Sequence, residues 1–290
     1  MAKHVKEPER FGMTSMQTSE RAQSMRTSAP NGNVSTQEFY DDMWLKYAHL
    51  DAVNPASFHR RRLVRELAKR VAPNAKKVVD VGCGQGELLR DLHAVLPNAT
   101  LFGADVSEQS LIDSRKRNPS YDLFQIDLTS PKFETEQASR LGQFDLVVCS
   151  EVLEHIPDHE LAASRLRLLV KPGGLVIVTV PGGKKSAFDI AIGHQRHYSR
   201  QEMAALLHKA GFRIERTLAW GFPFHSMYRT AVRIASRGER KPDAGRHEQA
   251  TVTSSLLERA YSIVSHLFKP LFYLNVAWGG EQIIAIASRE

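Results

Sequence analysis

The chain has 290 residues, of which 42% are apolar, 24% charged and 8% aromatic, a balance that excludes wholesale disorder. Lys and Arg number 39 against 32 Asp and Glu, and the net charge of +7 equals the excess of eight cations over one anion between Arg60 and Lys77. Two cysteines exclude a disulfide framework, and neither an apolar leader nor a run of ~18 apolar residues is found, so a cytoplasmic protein is expected.

Residues 1–34, rich in Ser, Thr, Met, Gln and Asn, predict a mobile arm preceding one domain over 35–290. Phe39 to Tyr47 predicts a helix with Tyr40, Trp44 and Tyr47 on it. Residues 58–72 predict another, with Phe58, Leu63, Val64, Leu67 and Val71 as its apolar stripe. The basic stretch lies on this second helix. It is either a solvated face or a surface for an anionic partner such as RNA or lipid.

From Lys77 onward short apolar runs alternate with helical patterns. Strands are predicted at 78–81, 100–106, 122–128, 144–149 and 175–180, with helices at 87–95, 108–117 and 159–169 between them. The last helix ends before Lys171-Pro172-Gly173-Gly174, read as a sharp stop. Such alternation means crossover units, hence an α/β, doubly wound and mostly parallel sheet that binds ligands beyond the carboxyl ends of its strands. A helix at 200–210 and strands at 212–220 and 282–288 complete the pattern. Between the last two strands, about 224–275 is an insert, expected to be a helical cap. Its amphipathic part, 254–274, can cover the site, pair two copies, or make a peripheral membrane contact.

The most informative segment is Val78-Val79-Asp80-Val81-Gly82-Cys83-Gly84-Gln85-Gly86-Glu87. A strand runs into a G-x-G-x-G turn and then a helix, so a ligand can approach the main chain closely. The dinucleotide fingerprint is spaced G-x-G-x-x-G, and a carboxylate at Asp80 would repel a pyrophosphate. That carboxylate suits a cationic ligand such as S-adenosylmethionine (SAM), which carries an ammonium and a sulfonium. Asp105, followed by Val106, closes the next strand at the distance expected for an acid that grips ribose hydroxyls. Asp127 closes the third, where it can accept from the adenine amino group while Leu128 packs on the ring. Each acid singly is equally a helix cap.

The run VVDVGCGQGELL, the acids in GADVSEQSL and FQIDL, and then FDLVVCSEVLEHI and LVKPGGLVIVTVP resemble the class I SAM-dependent methyltransferases over about residues 60–220 plus the last strand. The resemblance implies a Rossmann-like seven-stranded sheet of order 3-2-1-4-5-7-6 with the last strand antiparallel. It also implies SAM as methyl donor, S-adenosylhomocysteine (SAH) as product, and cofactor contacts at Asp80, Gly82, Cys83, Gly84, Gly86, Asp105, Val106, Asp127, Leu128 and Ser150.

Glu151, Glu154 and His155 stand at i, i+3 and i+4, and share a face if helical. With GHQRHYSR downstream, this is similar to quinone-pathway O-methyltransferases and to small-RNA 2′-O-methyltransferases. In the RNA enzymes two glutamates and two histidines hold a divalent metal, which Glu151, Glu154, His155 and His194 match residue by residue. The FEWTR-like continuation of those enzymes is missing, as is the Asp/Asn-Pro-Pro-aromatic sequence of base-modifying ones, so a nucleic-acid substrate is disfavoured. A metal is likewise the less favoured reading. Methyl transfer needs in-line alignment and, at oxygen, a base, for which His155 and His194 are the candidates. Tyr40, Trp44, Tyr47 and Tyr198 could close over the site or simply pack. The expectation is methyl transfer to a small molecule, at oxygen, by a monomer or homodimer. The alternatives are transfer or cyclisation of the aminobutyrate part of SAM with methylthioadenosine released, 2′-O-methylation of RNA, or a silent SAM-binding module.

Overall fold

A computed structural model describes residues 37–42, 54–138, 143–235, 269–276 and 278–290. The expected arm at 1–34, Trp44, Tyr47 and 254–268 of the amphipathic stretch lie outside the described residues.

Helix α1 (Pro55–Val71) starts at Asn54, whose side chain accepts from the Ala56 N–H, with proline in the first turn. There follow β1 (Lys77–Val81), α2 (Glu87–His93), β2 (Thr100–Asp105), α3 (Glu108–Arg117) and β3 (Asp122–Gln125). After a π-helical turn at Phe133–Ala138 come β4 (Phe144–Ser150), α4 (His159–Leu169), β5 (Val170–Pro181), α5 (Ala187–Ala191) and α6 (Arg200–Lys209). The chain closes with β6 (Arg213–Trp220), α7 (Phe224–Ala235), a 3-10 turn at Phe272–Leu274 and β7 (Gln282–Ser288).

The seven strands form one sheet of order β3-β2-β1-β4-β5-β7-β6, with β7 antiparallel to both its neighbours, as expected. Both faces are covered, which is why the strands read as continuous apolar runs. Along β1, Val79 and Val81 join one core cluster and Val78 the other; along β7, Ile283, Ala285 and Ala287 alternate with Ile284 and Ile286. One layer is filled from α4 and α6 by Leu166, Leu169, Met203 and Leu207, the other from α1, α2 and α3 by Val64, Leu89, Leu92 and Leu111.

Beyond shifts of one or two residues at element ends, three places differ from the sequence reading. Strand β3 stops at Gln125, so Asp127 lies two residues beyond it. Lys171 to Gly174 is no gap between elements: β5 begins at Val170, because Gly173 donates to the Arg289 carbonyl and Arg289 donates to that of Gly174. Helix α7 occupies the start of the insert and packs on a small separate cluster with Trp220, Tyr228 and Phe272.

Candidate active site

Strands β1 and β4 are neighbours, with Asp80 opposite Val148 and Val81 opposite Cys149. Their carboxyl ends therefore bring the glycine loop beside the segment that begins at Ser150. Two glycines make the loop possible. Gly82 has φ +78°, and a Cβ there would fall 2.2 Å from Val152 Cγ2. Gly86, at φ +81°, opens α2 where a Cβ would meet Ser114 Oγ at 2.6 Å.

Asp105 holds this loop. Its Oδ2 accepts from the Gly84 N–H at 2.8 Å and its Oδ1 from the Ser107 N–H at 2.9 Å. Burial raises its pKa and these donors oppose the rise. Cys83 is buried in the loop, and burial holds its thiol protonated. The Val106 carbonyl accepts from Gln125 Nε2. The Asp127 carboxylate closes a local turn on the N–H and hydroxyl of Thr129, both at 2.7 Å. The Leu128 side chain belongs to the main core, and its carbonyl accepts from Arg165 Nη1.

Asp80 is different. It is 1% exposed, and its Oδ1 has no hydrogen-bond partner among the described residues. Burial, then the nearby Asp105, push its pKa up to about 8, while Arg60 pulls it down. A buried carboxyl oxygen left unpaired is costly unless a ligand completes it.

The segment after β4 is not helical, which corrects the expectation of a shared helical face. Glu151 takes a left-handed φ of 59°, and only isolated turns follow, from the His155 N–H to the Val152 carbonyl and from Ile156 to Leu153. The two glutamates therefore diverge. Glu151 Oε1 accepts from Gln282 Nε2 at 2.8 Å and from Thr179 Oγ1 at 3.1 Å, and its Oε2 lies 3.6 Å from Arg60 Nη1. Ser150 Oγ shares a hydrogen bond with Thr179 Oγ1. Glu154 is fully buried with neither carboxyl oxygen partnered among the described residues, and burial, then Glu151, raise its pKa well above the ordinary carboxylate value.

His155 stands beside Glu154, with Nε2 to Oε1 at 4.0 Å; its buried Nδ1 makes no hydrogen bond of good geometry among the described residues, although the backbone of Gly193 and Ile192 favours its charged form. Desolvation lowers its pKa to about 4. The His194 ring meets it edge to face with centroids 4.6 Å apart, and burial together with the His155 ring lowers the His194 pKa to about 2. Glu154, His155 and His194 thus converge with ligand atoms within 4.8 Å of one another, whereas Glu151, the fourth candidate metal ligand, is outside this group. A second group, Asp189, His194 and His197, shares His194.

Two features were not foreseen, the place of Arg60 and the tether at Asp41. Arg60, on the basic helix α1, reaches into the site, pairs with Glu151 and leaves a buried Nε without a partner. The helical piece 37–42 lies over the cleft: Asp41 accepts from Ser107 Oγ and from the Gln109 N–H at the start of α3. It also sets Phe39 against Gly193 and Tyr40 edge-on to His155. The Tyr40 hydroxyl is kept protonated chiefly by burial. Tyr198, by contrast, is a core pin whose hydroxyl donates to the Leu153 carbonyl.

A family model described as a methyltransferase domain matches residues 56–217. The chain belongs to that family, the class I SAM-dependent methyltransferases. Among curated proteins it is 34% identical over 140 residues to a trans-aconitate 2-methyltransferase of Variovorax paradoxus (strain S110), covering 46% of this chain and 51% of that one. It is 30% identical over 174 residues to a ubiquinone biosynthesis O-methyltransferase of Bordetella avium (strain 197N), covering 57% and 69%. The methyltransferase chain thus spans about half the length of the first of these relatives. Its fold resembles that of Haemonchus contortus phosphoethanolamine N-methyltransferase 2, solved with SAM, at a TM-score of 0.58 and 18% identity over 89% of this chain and 60% of that one. Among the described residues no helix is long and apolar enough to cross a membrane.

Proposed function

We propose that this protein is a cytoplasmic methyltransferase that moves the methyl group of SAM to a hydroxyl oxygen of a small acceptor molecule. The observation that carries the reading is the set of buried polar atoms without protein partners at the ends of β1 and β4: Asp80 Oδ1, both oxygens of Glu154, and His155 Nδ1. Two neighbouring strands thus lead into buried polar groups that a bound ligand would satisfy.

On this reading Asp80 receives the ammonium of the SAM amino-acid end and Arg60 its carboxylate, while the glycine loop lies along the nucleoside and Asp105 takes the ribose. SAM supplies an electrophilic methyl group on a sulfonium. What the chain contributes is alignment, desolvation and a place for the proton. Glu154, protonated, anchors the acceptor hydroxyl. The neutral imidazoles of His155 and His194 accept the proton that must leave it. Tyr40, held down through Asp41, excludes water. The O-methyltransferase relative supports oxygen as the target. Glu151, committed to Arg60, Gln282 and Thr179, stands apart from the one-carboxylate, two-imidazole set of Glu154, His155 and His194, and the reaction as read here routes no step through a metal.

The test is incubation with methyl-labelled SAM and a panel of hydroxylated small molecules. The expected result is a labelled ether and SAH, unaffected by a chelator. Methylthioadenosine instead of SAH, or a loss of activity that added metal restores, would overturn this assignment.

A further inference from the structure

The imidazoles behind Glu154 form a chain with a direction. The Gly183 carbonyl, set by a left-handed φ of +71°, lies 3.2 Å from His197 Nδ1. A carbonyl only accepts, so His197 carries its hydrogen on Nδ1. In a neutral ring Nε2 is then an acceptor. His194 Nδ1 lies 3.1 Å from that Nε2 and must donate to it. The other nitrogen of His194, Nε2, is left with a bare lone pair.

The surroundings keep both rings neutral. Asp189 lies 3.8 Å from each, with Oδ1 toward His194 Nδ1 and Oδ2 toward His197 Nε2. Alone it would draw a second proton onto them. Arg229 on α7 cancels that pull through a two-point contact, Nη1 to Oδ1 at 3.1 Å and Nη2 to Oδ2 at 3.2 Å. Ser186 adds its N–H and hydroxyl to Oδ2. The Lys185 ammonium binds the carbonyls of His194 and Gln195, and the His155 ring covers the remaining side.

We propose that His197 is a positioning residue that locks His194 in the Nδ1–H tautomer and so presents His194 Nε2 as the hydrogen-bond acceptor of the cleft. The use of that nitrogen toward an acceptor hydroxyl rests on the methyltransferase reading above; the tautomer does not. The arrangement gives a base of fixed geometry without a carboxylate bonded directly to it, since Asp189 is spent on Arg229 and Ser186. A wrong tautomer in such a position disables general-base catalysis even where the ring stays in place.

The experiment is two-bond proton–nitrogen correlation NMR on protein labelled with 15N histidine, near neutral pH, with SAH binding followed by calorimetry. In the wild type, His194 should show a pyrrole-type Nδ1 and a pyridine-type Nε2. His197→Gln, whose Oε1 can stand where the imidazole Nε2 stood, should keep that pattern. His197→Phe should shift the two His194 nitrogens toward each other or exchange them, with SAH affinity unchanged. A wild-type His194 bearing its hydrogen on Nε2 overturns the proposal, and this spectrum decides even if His197→Phe does not fold. An unaltered pattern in a folded His197→Phe overturns it as well. Failure of the wild type to bind SAH would remove the methyltransferase reading instead and leave the tautomer assignment standing.

Discussion

Asp80 concentrates the conflict between stability and binding in a single side chain. Buried, with one oxygen unpaired and its pKa pushed up to about 8, it is mostly protonated in the unliganded protein at pH 7. A cationic amino-acid end needs the carboxylate, so its binding must drive that proton out. SAH affinity should therefore rise by up to about tenfold per pH unit between pH 6 and 8 and level off above, by proton linkage. 5′-Methylthioadenosine, which keeps the ribose but lacks the amino-acid end, should bind with little slope, and this separates Asp80 from Asp105. Asp80→Asn should weaken SAH and flatten its profile. Calorimetry in buffers of differing ionisation enthalpy measures the released proton directly, and equal heats in all of them would count against the role given to Asp80.

Between elements, the decisive joint is α5 against α7. Asp189, 2% exposed, caps α5 through Ser186 and takes the guanidinium of Arg229 from α7. Burial raises the Asp189 pKa, but Arg229 and the Ser186 donors outweigh it, and the carboxyl ends below its ordinary value. Arg229→Met would strand this charge, at a cost of about 3 kcal/mol. For a chain of this size that is a fall in Tm of about 8 °C. Adding Asp189→Asn should recover most of the loss, because the stranded charge is gone; calorimetric scans of the single and double variants check it. Neither α5 nor this joint was legible in the sequence. Helix α5 is five residues long, too short for a period, and α7 turns its apolar side to Trp220 and Phe272 rather than to the main core. The sheet was legible because both its faces are buried, and the glycine loop because its conformation needs glycine. The spacing of Glu151 and Glu154 misled, since a helical reading assumes φ near −60°, and the left-handed Glu151 turns one carboxylate toward Arg60 and leaves the other in the cleft.

For the molecule as a whole, the buried titratable groups oppose one another and set a pH of greatest stability. His59 and His155 have pKa values lowered to about 4, His225 to about 3 and His194 to about 2, chiefly by burial. In the unfolded chain each titrates near 6.5. Below that pH the unfolded state binds protons that the folded state refuses, so stability falls as the pH drops from about 6.5 toward 4. Asp80 and Glu154 act in the reverse sense. Their folded pKa values are raised, so the folded state holds protons that the unfolded chain has released, and stability falls as the pH climbs toward 8. The lowered imidazoles, His159 and His197 among them, set the acid limb, and the raised carboxyls, Asp105 among them, set the alkaline limb. Unfolding free energy, from denaturant titrations across pH 4 to 9, should therefore fall on both sides of an interior maximum, with slopes of roughly 1.4 kcal/mol per pH unit for each proton of imbalance. Saturating SAH should raise the alkaline limb most, since the bound ligand takes Asp80 in its charged form. A profile that keeps rising to pH 9 without ligand would mean that Asp80 and Glu154 find partners in solution, and the cleft would lose the unpaired groups from which its function was read.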